Sequence, residues 1–242
     1  MRVITTLFLI GTFAACTKAT MPTQAAAQKP NNNMPATDTL TYLALGDSYT
    51  IGEAVPLDKS FPYQLAANLK ASNHVVTNAD IIAVTGWTTG DLKQGITQRG
   101  ITKHDYNIVT LLIGVNNQFR GYGREDYRKE FIELLTGAIN YAGGNKKHVF
   151  VLSIPDWSVT PFAKNGGYDA EKVGAEIDQF NAINKQETEK LGVTYVDITP
   201  ASRRASYETT LIANDGLHPS SSMYSLWVAQ LLPVVNAQLA AK

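Results

Sequence analysis

The chain has 242 residues, with 21 basic and 21 acidic side chains. This balance, without any basic run, excludes a typical nucleic-acid-binding protein, because such proteins need lysine and arginine to neutralise phosphates. The single cysteine excludes an internal disulfide bond.

The first 16 residues have the pattern of a secretory signal. A short basic start precedes a mostly apolar stretch, and small residues lead into Cys16. The apolar stretch is too short for a transmembrane helix. A lone cysteine at this place resembles the lipobox of bacterial lipoproteins, in which the cysteine is lipidated. We therefore expect an exported protein held in the cell envelope through Cys16; ordinary cleavage near Ala14 and Ala15, which gives a periplasmic or secreted protein, is the alternative.

The rest of the chain divides into a linker and one domain. Residues 17–38 are rich in Thr, Ala, Gln, Asn and Pro and have few side chains that form a core, which is typical of a flexible tether. Residues 39–242 suffice for one domain with a sizeable core and are too few for two. The sequence thus predicts a signal peptide with a lipobox cysteine at 1–16, a flexible linker at 17–38 and a single domain at 39–242.

Within the domain, apolar runs alternate with helical patterns. Most of the five runs are continuous, as expected for strands of a parallel sheet covered on both faces; they lie at 42–45, 81–84, 108–113, 149–154 and 193–198. Apolar residues at helical spacing begin after Ser60, an expected N-cap, and recur at 127–139, 173–191 and 224–239. This alternation predicts an α/β fold, a three-layer α/β/α sandwich around a mostly parallel five-stranded sheet.

In such a sheet the carboxyl ends of the strands carry the chemistry. Ser48 follows the first strand, in Gly46-Asp47-Ser48-Tyr49-Thr50. A serine hydroxyl becomes an effective nucleophile when a base takes its proton, although these residues also suit a simple helix cap or turn. Asp47 is expected to form the turn and not to orient the base, because adjacent residues of an extended chain project to opposite sides.

A base and a carboxylate occur together near the last predicted helix. Asp215 and His218 lie in Asp215-Gly216-Leu217-His218-Pro219. One loop can present both, so that the carboxylate holds the imidazole toward Ser48; a histidine before a proline and a helix also suits a cap. No two of the four histidines have the close spacing of a typical zinc site. Neither a metal nor an organic cofactor is expected.

Acyl transfer also needs donors for a negatively charged oxygen. Gly86, in Thr85-Gly86-Trp87, can expose its backbone N–H, and Asn116, in Gly114-Val115-Asn116, can supply an amide N–H. Glycine and asparagine are equally common in ordinary strand-to-helix turns. Each residue alone is therefore a weak indication of an oxyanion hole.

The order of these segments resembles a known family. Gly46-Asp47-Ser48, Gly86, Asn116 and Asp215-x-x-His218 are similar to the four blocks of the SGNH hydrolases, also called GDSL esterases and lipases. The resemblance covers residues 42–231 and implies a flavodoxin-like sandwich. It further implies a triad of Ser48, His218 and Asp215, and an oxyanion hole made by the N–H groups of Ser48 and Gly86 with the Asn116 side chain.

One position departs from that family pattern. The third block commonly reads Gly-x-Asn-Asp, and Asn117 stands here in place of the aspartate. The oxyanion donor at Asn116 is retained, so the expected catalysis is unaffected. The local charge and the hydrogen bonds of the loop are expected to differ.

The substrate is open at the level of sequence. Trp87, Phe119 and Trp157 are candidate substrate-binding residues, since their segments mix aromatic and polar groups; packing of loops onto the domain is an equal alternative. We expect a serine hydrolase of carboxylic esters that acts through an acyl-enzyme on carbohydrate, lipid or short acyl esters. A catalytically silent surface lipoprotein that binds glycan or lipid is the alternative. The expected partners are an ester substrate and, through the lipid anchor, a membrane.

Overall fold

The structure is a computed structural model that describes Met1, Val3 and residues 39–240. The expected lipidation site Cys16 and the linker at 17–38 lie outside the described residues, as does nearly all of the expected signal. The folded unit lies within Thr37–Lys242. No described helix combines the length and apolar character needed to cross a membrane. The described residues also contain no group of three or more His, Cys, Asp or Glu side chains placed to hold a metal ion.

Five parallel strands form one sheet, in the order β2-β1-β3-β4-β5. Every residue of the three central strands β1, β3 and β4 is buried, which explains why these apolar runs do not alternate. All five strands match the sequence prediction. Their bounds are Tyr42–Gly46 (β1), Asp80–Ala83 (β2), Ile108–Leu112 (β3), Val149–Leu152 (β4) and Thr194–Val196 (β5).

Helices cover both faces of the sheet. Helices α2 and α9 pack on each other in one layer, and α3, α5 and α7 pack side by side in the other. The predicted three-layer α/β/α sandwich is confirmed. The helices of the described residues are Ser48–Ile51 (α1), Phe61–Ala71 (α2), Thr89–Arg99 (α3), Val115–Phe119 (α4), Arg124–Tyr141 (α5), Pro161–Asn165 (α6), Ala170–Lys190 (α7), Thr199–Arg203 (α8) and Ser221–Ala240 (α9).

The helix starts differ from expectation in two places. Ser60 stands at the N-cap position of α2, but its hydroxyl donates to the Leu57 carbonyl at 2.8 Å and makes no capping hydrogen bond. Helix α3 was not predicted. It begins with a capping box in which the Thr88 side chain and Asp91 each accept a hydrogen bond from the other's backbone N–H.

The strand order places the site. From β1 the chain adds β2 on one side of the sheet, and then crosses to the other side of β1 to add β3, β4 and β5. In open α/β sheets the loops at the carboxyl ends separate at such a point and leave a crevice. Ser48 directly follows β1 and Asn116 follows β3, so both lie at this crevice.

Candidate active site

Ser48 lies in a tight turn between β1 and α1. Asp47 is the N-cap of α1, and its Oδ1 accepts a hydrogen bond from the Tyr49 N–H at 3.0 Å, which confirms its expected role as a turn former. A Cβ on Gly46 would lie 2.1 Å from Thr50 Oγ1, so only glycine allows the helix to start this close to the strand. The turn leaves Ser48 4% exposed.

Asp215 and His218 share one compact loop. His218 Nδ1 lies 2.6 Å from Asp215 Oδ2, and Asp215 Oδ1 accepts the N–H groups of Leu217 and His218, each at 3.0 Å. The loop is closed by an antiparallel bridge between Ile212 and Pro219. These contacts fix the imidazole relative to the carboxylate before any substrate binds.

The Asp215 carboxyl is held in its charged form. Its partial burial raises the pKa, but hydrogen bonds from the His218 side chain and from the backbone N–H groups of Leu217 and His218 outweigh this effect, so the pKa lies below its usual value. A charged acceptor 2.6 Å from Nδ1 favours the tautomer whose hydrogen is on Nδ1. The lone pair of His218 Nε2 is then free to accept a proton.

Ser48, His218 and Asn116 line one cavity, although they are far apart in the sequence. The cavity has a volume of about 220 Å³, and we call it the inner cavity. Tyr49 and His218 pack edge to face, with 5.7 Å between the ring centroids. No hydrogen bond joins Ser48 Oγ to His218 within residues 39–240. The remaining walls are apolar or aromatic, and they come from Tyr49, Val115, Phe119, Trp157, Phe162 and Leu217.

The two expected oxyanion loops are tied together. Asn116 Nδ2 donates to the Trp87 carbonyl at 2.9 Å, and the Arg120 guanidinium donates to the Gly86 carbonyl at 2.7 Å. Both carbonyls are thereby directed toward α4. The Gly86 N–H has no acceptor in the described part of the chain, and Gly86 has a φ of 83°, which favours glycine.

Arg120 was missed by sequence reasoning, although it orients the loop of an expected oxyanion donor. Its guanidinium also lies 3.6 Å from Asp91, the capping residue of α3. The one sequence feature that could have indicated this role is the position of Arg120, one residue after α4. Val115 and Leu217, also missed, are sequence neighbours of expected site residues and line the inner cavity with them.

Two of the three aromatic candidates lie at the cavity. Phe119 and Trp157 line it and contact each other, with ring centroids 5.4 Å apart. Trp87 is not among its described lining residues. Its ring packs on Gly95 of α3, where an added Cβ would lie 2.1 Å from the ring. Trp87 therefore holds the Gly86 loop against the fold.

The sequence also matches the model of a known protein family. The model of the GDSL-like Lipase/Acylhydrolase family matches residues 44–226, which is most of the chain. The chain belongs to this family. As a GDSL-like acylhydrolase it is a carboxylic ester hydrolase. The match includes all four loops described above.

Solved structures share the fold of this GDSL-like acylhydrolase. The crystal structure of TesA has 14% identity, a TM-score of 0.64, and coverage of 82% of this chain and 99% of its own. A lipolytic G-D-S-L protein from Veillonella parvula has 17% identity, a TM-score of 0.62, and coverage of 81% and 98%. Axe2, an acetylxylan esterase from Geobacillus stearothermophilus, has 19% identity, a TM-score of 0.60, and coverage of 81% and 94%. The search of curated proteins finds no match.

Both polar atoms of the unusual Asn117 side chain of this acylhydrolase form hydrogen bonds. Its Oδ1 accepts from the Thr89 N–H at 3.0 Å, and its Nδ2 donates to Thr89 Oγ1 at 2.7 Å. Thr89 Oγ1 in turn donates to Glu130 of α5. The amide thus joins α4, which begins next to Asn116, to the first residue of α3.

Proposed function

We propose that Ser48, His218 and Asp215 form the catalytic triad of this ester hydrolase. The observation that carries the proposal is the 2.6 Å contact between Asp215 Oδ2 and His218 Nδ1 in a loop that faces the cavity of Ser48. Asp215 holds the imidazole and stabilises its protonated form. His218 Nε2 takes the proton of Ser48 Oγ as that oxygen attacks the ester carbonyl.

Formation of the tetrahedral intermediate, whose oxygen is negatively charged, requires hydrogen-bond donors as well as a base. Asn116 Nδ2 carries two hydrogens, of which one is bound to the Trp87 carbonyl and the other is available. The Ser48 N–H lies in the first turn of α1, where backbone N–H groups have no partner within the helix. Together with the Gly86 N–H, these groups would stabilise the oxyanion.

The proton returns to the leaving group in the next step. Protonated His218 gives its proton to the alcohol oxygen as the ester bond breaks, which leaves an acyl group on Ser48 Oγ. His218 then takes a proton from water as the water oxygen attacks the acyl-enzyme, and it gives that proton to Ser48 Oγ as the acyl bond breaks, which releases the acid and restores the serine. No charge is left without a partner in either half of the reaction.

For substrate, we propose a carbohydrate acyl ester or a lipid or short acyl ester, with Phe119 and Trp157 at the wall of the site. The apolar lining of the inner cavity supports binding of an acyl group. Axe2, which shares the fold, is an acetylxylan esterase.

We also propose that residues 1–16 direct export, that Cys16 is lipidated and that residues 17–38 tether the domain to the envelope. Cys16→Ala should then release the protein from the membrane fraction, and unchanged partitioning would contradict the anchor.

The triad is tested by substitution of the nucleophile. Ser48→Ala should lower kcat/KM for p-nitrophenyl acetate by about 10³-fold or more, because nucleophile and base act as a unit. It should also abolish covalent labelling by a fluorophosphonate. Ser206→Ala is the matched control, because Ser206 is exposed and its hydroxyl only donates to the Arg203 carbonyl.

Folding is checked by circular dichroism in the same samples. Labelling or activity that persists in a folded Ser48→Ala protein would overturn the assignment of the nucleophile. A folded wild type that is neither labelled nor active would instead favour a catalytically silent binder of glycan or lipid.

A further inference from the structure

A second cavity adjoins the inner cavity on the side of α7. It has a volume of about 410 Å³ and shares Phe119 and Trp157 with the inner cavity. We call it the outer cavity. Its other walls come from the end of α4, the loop between α6 and α7 and the first two turns of α7, and they include Gln118, Tyr168, Asp169, Lys172 and Glu176. A molecule bound at Ser48 that extends past the shared aromatic pair enters the outer cavity.

The outer cavity presents unused polar groups. Glu176 Oε2 accepts a hydrogen bond from Gln118 Nε2 at 2.8 Å, and Gln118 Oε1 accepts one from Trp157 Nε1 at 2.8 Å. These two hydrogen bonds hold the Trp157 ring at the border of the two cavities. Glu176 Oε1 and Lys172 Nζ have no hydrogen-bond or ion-pair partner within residues 39–240. The cavity therefore offers both a free acceptor and a free donor.

An aromatic ring forms one side of the outer cavity. Tyr168 contacts Trp157 edge-on, with centroids 4.9 Å apart, and stacks on Phe162 at 5.8 Å. A Cβ on Gly166 would lie 2.6 Å from the Tyr168 ring, so the ring rests directly on backbone. With these contacts in place Tyr168 is still 41% exposed. Tyr168 is thus a fixed ring with a free surface.

These features discriminate between possible occupants. Asp169, Glu176 and Lys172 carry one net negative charge together, which disfavours a phosphate or another anionic headgroup. A long acyl chain would cover Lys172 and Glu176 without giving either a hydrogen bond, at a cost in free energy. A neutral group rich in hydroxyls would satisfy both side chains and place its C–H surface on Tyr168.

We propose, building on the function proposed above, that the outer cavity binds a sugar unit, so that the substrate is a short-chain acyl ester of an oligosaccharide. The acylated unit occupies the inner cavity next to Ser48. The neighbouring unit lies on Tyr168, and its hydroxyl groups bind Lys172 and Glu176. The ester chemistry is that of the triad and needs no further group.

The test compares substrates that do and do not reach the outer cavity. Purified protein is assayed with cellobiose that carries a single acetyl group on one ring, methyl glucoside that carries a single acetyl group, p-nitrophenyl acetate and p-nitrophenyl octanoate. The wild type should prefer the acetylated disaccharide to the acetylated monosaccharide by about tenfold in kcat/KM, as expected for one additional aromatic contact. Lys172→Met and Tyr168→Ala should each reduce this preference several-fold through KM.

The ratio of kcat/KM for acetylated cellobiose to that for p-nitrophenyl acetate is the decisive readout. It should fall in Lys172→Met and Tyr168→Ala and remain unchanged in Tyr207→Ala, a control aromatic that is 73% exposed and outside both cavities. Tyr168→Phe should keep most of the preference, because the ring remains.

Three results would overturn the proposal. The first is a wild type without preference for the disaccharide. The second is an equal loss on all four esters in the variants, which would show a purely structural role. The third is a loss confined to p-nitrophenyl octanoate, which would make the outer cavity an acyl-chain site. If the wild type instead hydrolyses none of the esters and is not labelled by a fluorophosphonate, the proposed function itself fails, and the sugar site fails with it.

Discussion

Asn117 and Glu130 belong to different helices and share one hydroxyl group. Thr89 Oγ1 accepts from Asn117 Nδ2 and donates to Glu130 Oε2. A hydroxyl has a single hydrogen, so a partner opposite an accepting carboxylate must itself donate. An amide at position 117 meets this condition, whereas the aspartate that is common in the third block does not. The negative charge of this region lies on Glu130 instead.

This arrangement predicts the outcome of an exchange. Asn117→Asp should lower the free energy of unfolding by about 1–3 kcal/mol, because two carboxylates then compete for one hydrogen. Adding Glu130→Gln should recover most of the loss, since the glutamine amide can donate to Thr89 while the hydroxyl turns to the new carboxylate. Glu130→Gln alone should have a small effect, because its amide oxygen still accepts from Thr89.

Urea unfolding of the wild type, both single variants and the double variant measures this coupling. The kcat for p-nitrophenyl acetate should follow the same order, because α4 begins beside Asn116. If the two single effects add to within about 0.5 kcal/mol in the double variant, the shared hydroxyl does not couple the two sites.

Among single residues, the sequence predicted side chains that the structure brings together, but not the contacts that hold them. Ser48, Asn116 and His218 were predicted and line one cavity, and Asp215 contacts His218 as expected. The roles of Arg120 and Glu130 were not predicted. Each acts through a side-chain contact to a residue more than 30 positions away, and such a contact leaves no trace in local spacing.

Among the elements, α3 depends on a glycine for its packing. Gly95 lies in the middle of this helix, and a Cβ there would lie 2.1 Å from the Trp87 ring. Helix propensity alone favours alanine over glycine by about 1 kcal/mol. The steric term acts in the opposite direction and is larger, because the added Cβ would lie within 2.9 Å of three atoms of the half-buried Trp87 ring.

Gly95→Ala should therefore reduce the free energy of unfolding by about 1–3 kcal/mol, as overpacking does. It should also lower kcat for p-nitrophenyl acetate, since displaced Trp87 moves Gly86. Gly137→Ala in α5 is the matched control: its Cβ would be 3.9 Å from the nearest atom, so it should stabilise the protein by about 0.5–1 kcal/mol. Urea unfolding of both variants decides the matter, and equal stabilisation by both would refute the steric argument.

Helix α3 also shows why some elements could not be predicted from the sequence. The three central strands were predictable because burial on both faces makes them continuously apolar, and the partly buried edge strands β2 and β5 still overlap short apolar runs. Helices α2, α5, α7 and α9 carry apolar stripes that face the sheet. Helix α3 buries only Thr89, Leu92 and Gly95, too few apolar side chains for a helical stripe. Its capping box at Thr88 was the available signal.

For the whole molecule, the strand order converts four separate loops into one site. The chain alone predicted that these loops gather at the carboxyl ends of the strands, and the family resemblance supplied the flavodoxin-like arrangement. The structure adds that Ser48 and Asn116 flank the crevice beside β1. Strand order is fixed by long-range pairing, for which apolar runs of similar composition are interchangeable.

The buried carboxyl of Asp47 links this site to the stability of the whole protein. Asp47 is completely buried, and its Oδ2 has no hydrogen-bond partner among the described residues. Burial raises its pKa to about 7, although the hydrogen bonds from the backbone N–H groups of Tyr49 and Asp47 lower it in part. The folded protein thus retains a proton that the unfolded chain releases near pH 4.

Linkage gives the sign of the resulting pH dependence. Between about pH 4 and 7 the folded state binds more protons than the unfolded state at Asp47, so this contribution to the free energy of unfolding falls as the pH rises. The lowered pKa values of Asp91 and Asp215 act in the opposite direction, and their stabilising contributions are lost below about pH 4. Burial lowers the pKa of His148 as well, so its contribution rises with pH up to about pH 6.5 and opposes that of Asp47 there.

Asp47→Asn should remove the decline between pH 5 and pH 8. Asparagine is an equally good N-cap, so the hydrogen bond to the Tyr49 N–H is kept while the ionisable group is lost. Free energies of unfolding in urea at pH 5, 6, 7 and 8 measure the slope, which is independent of any constant cost of burying the amide. Asp58→Asn, at an exposed position, should keep the wild-type slope. A slope in Asp47→Asn equal to that of the wild type would mean that Asp47 is already ionised in the folded protein at pH 5.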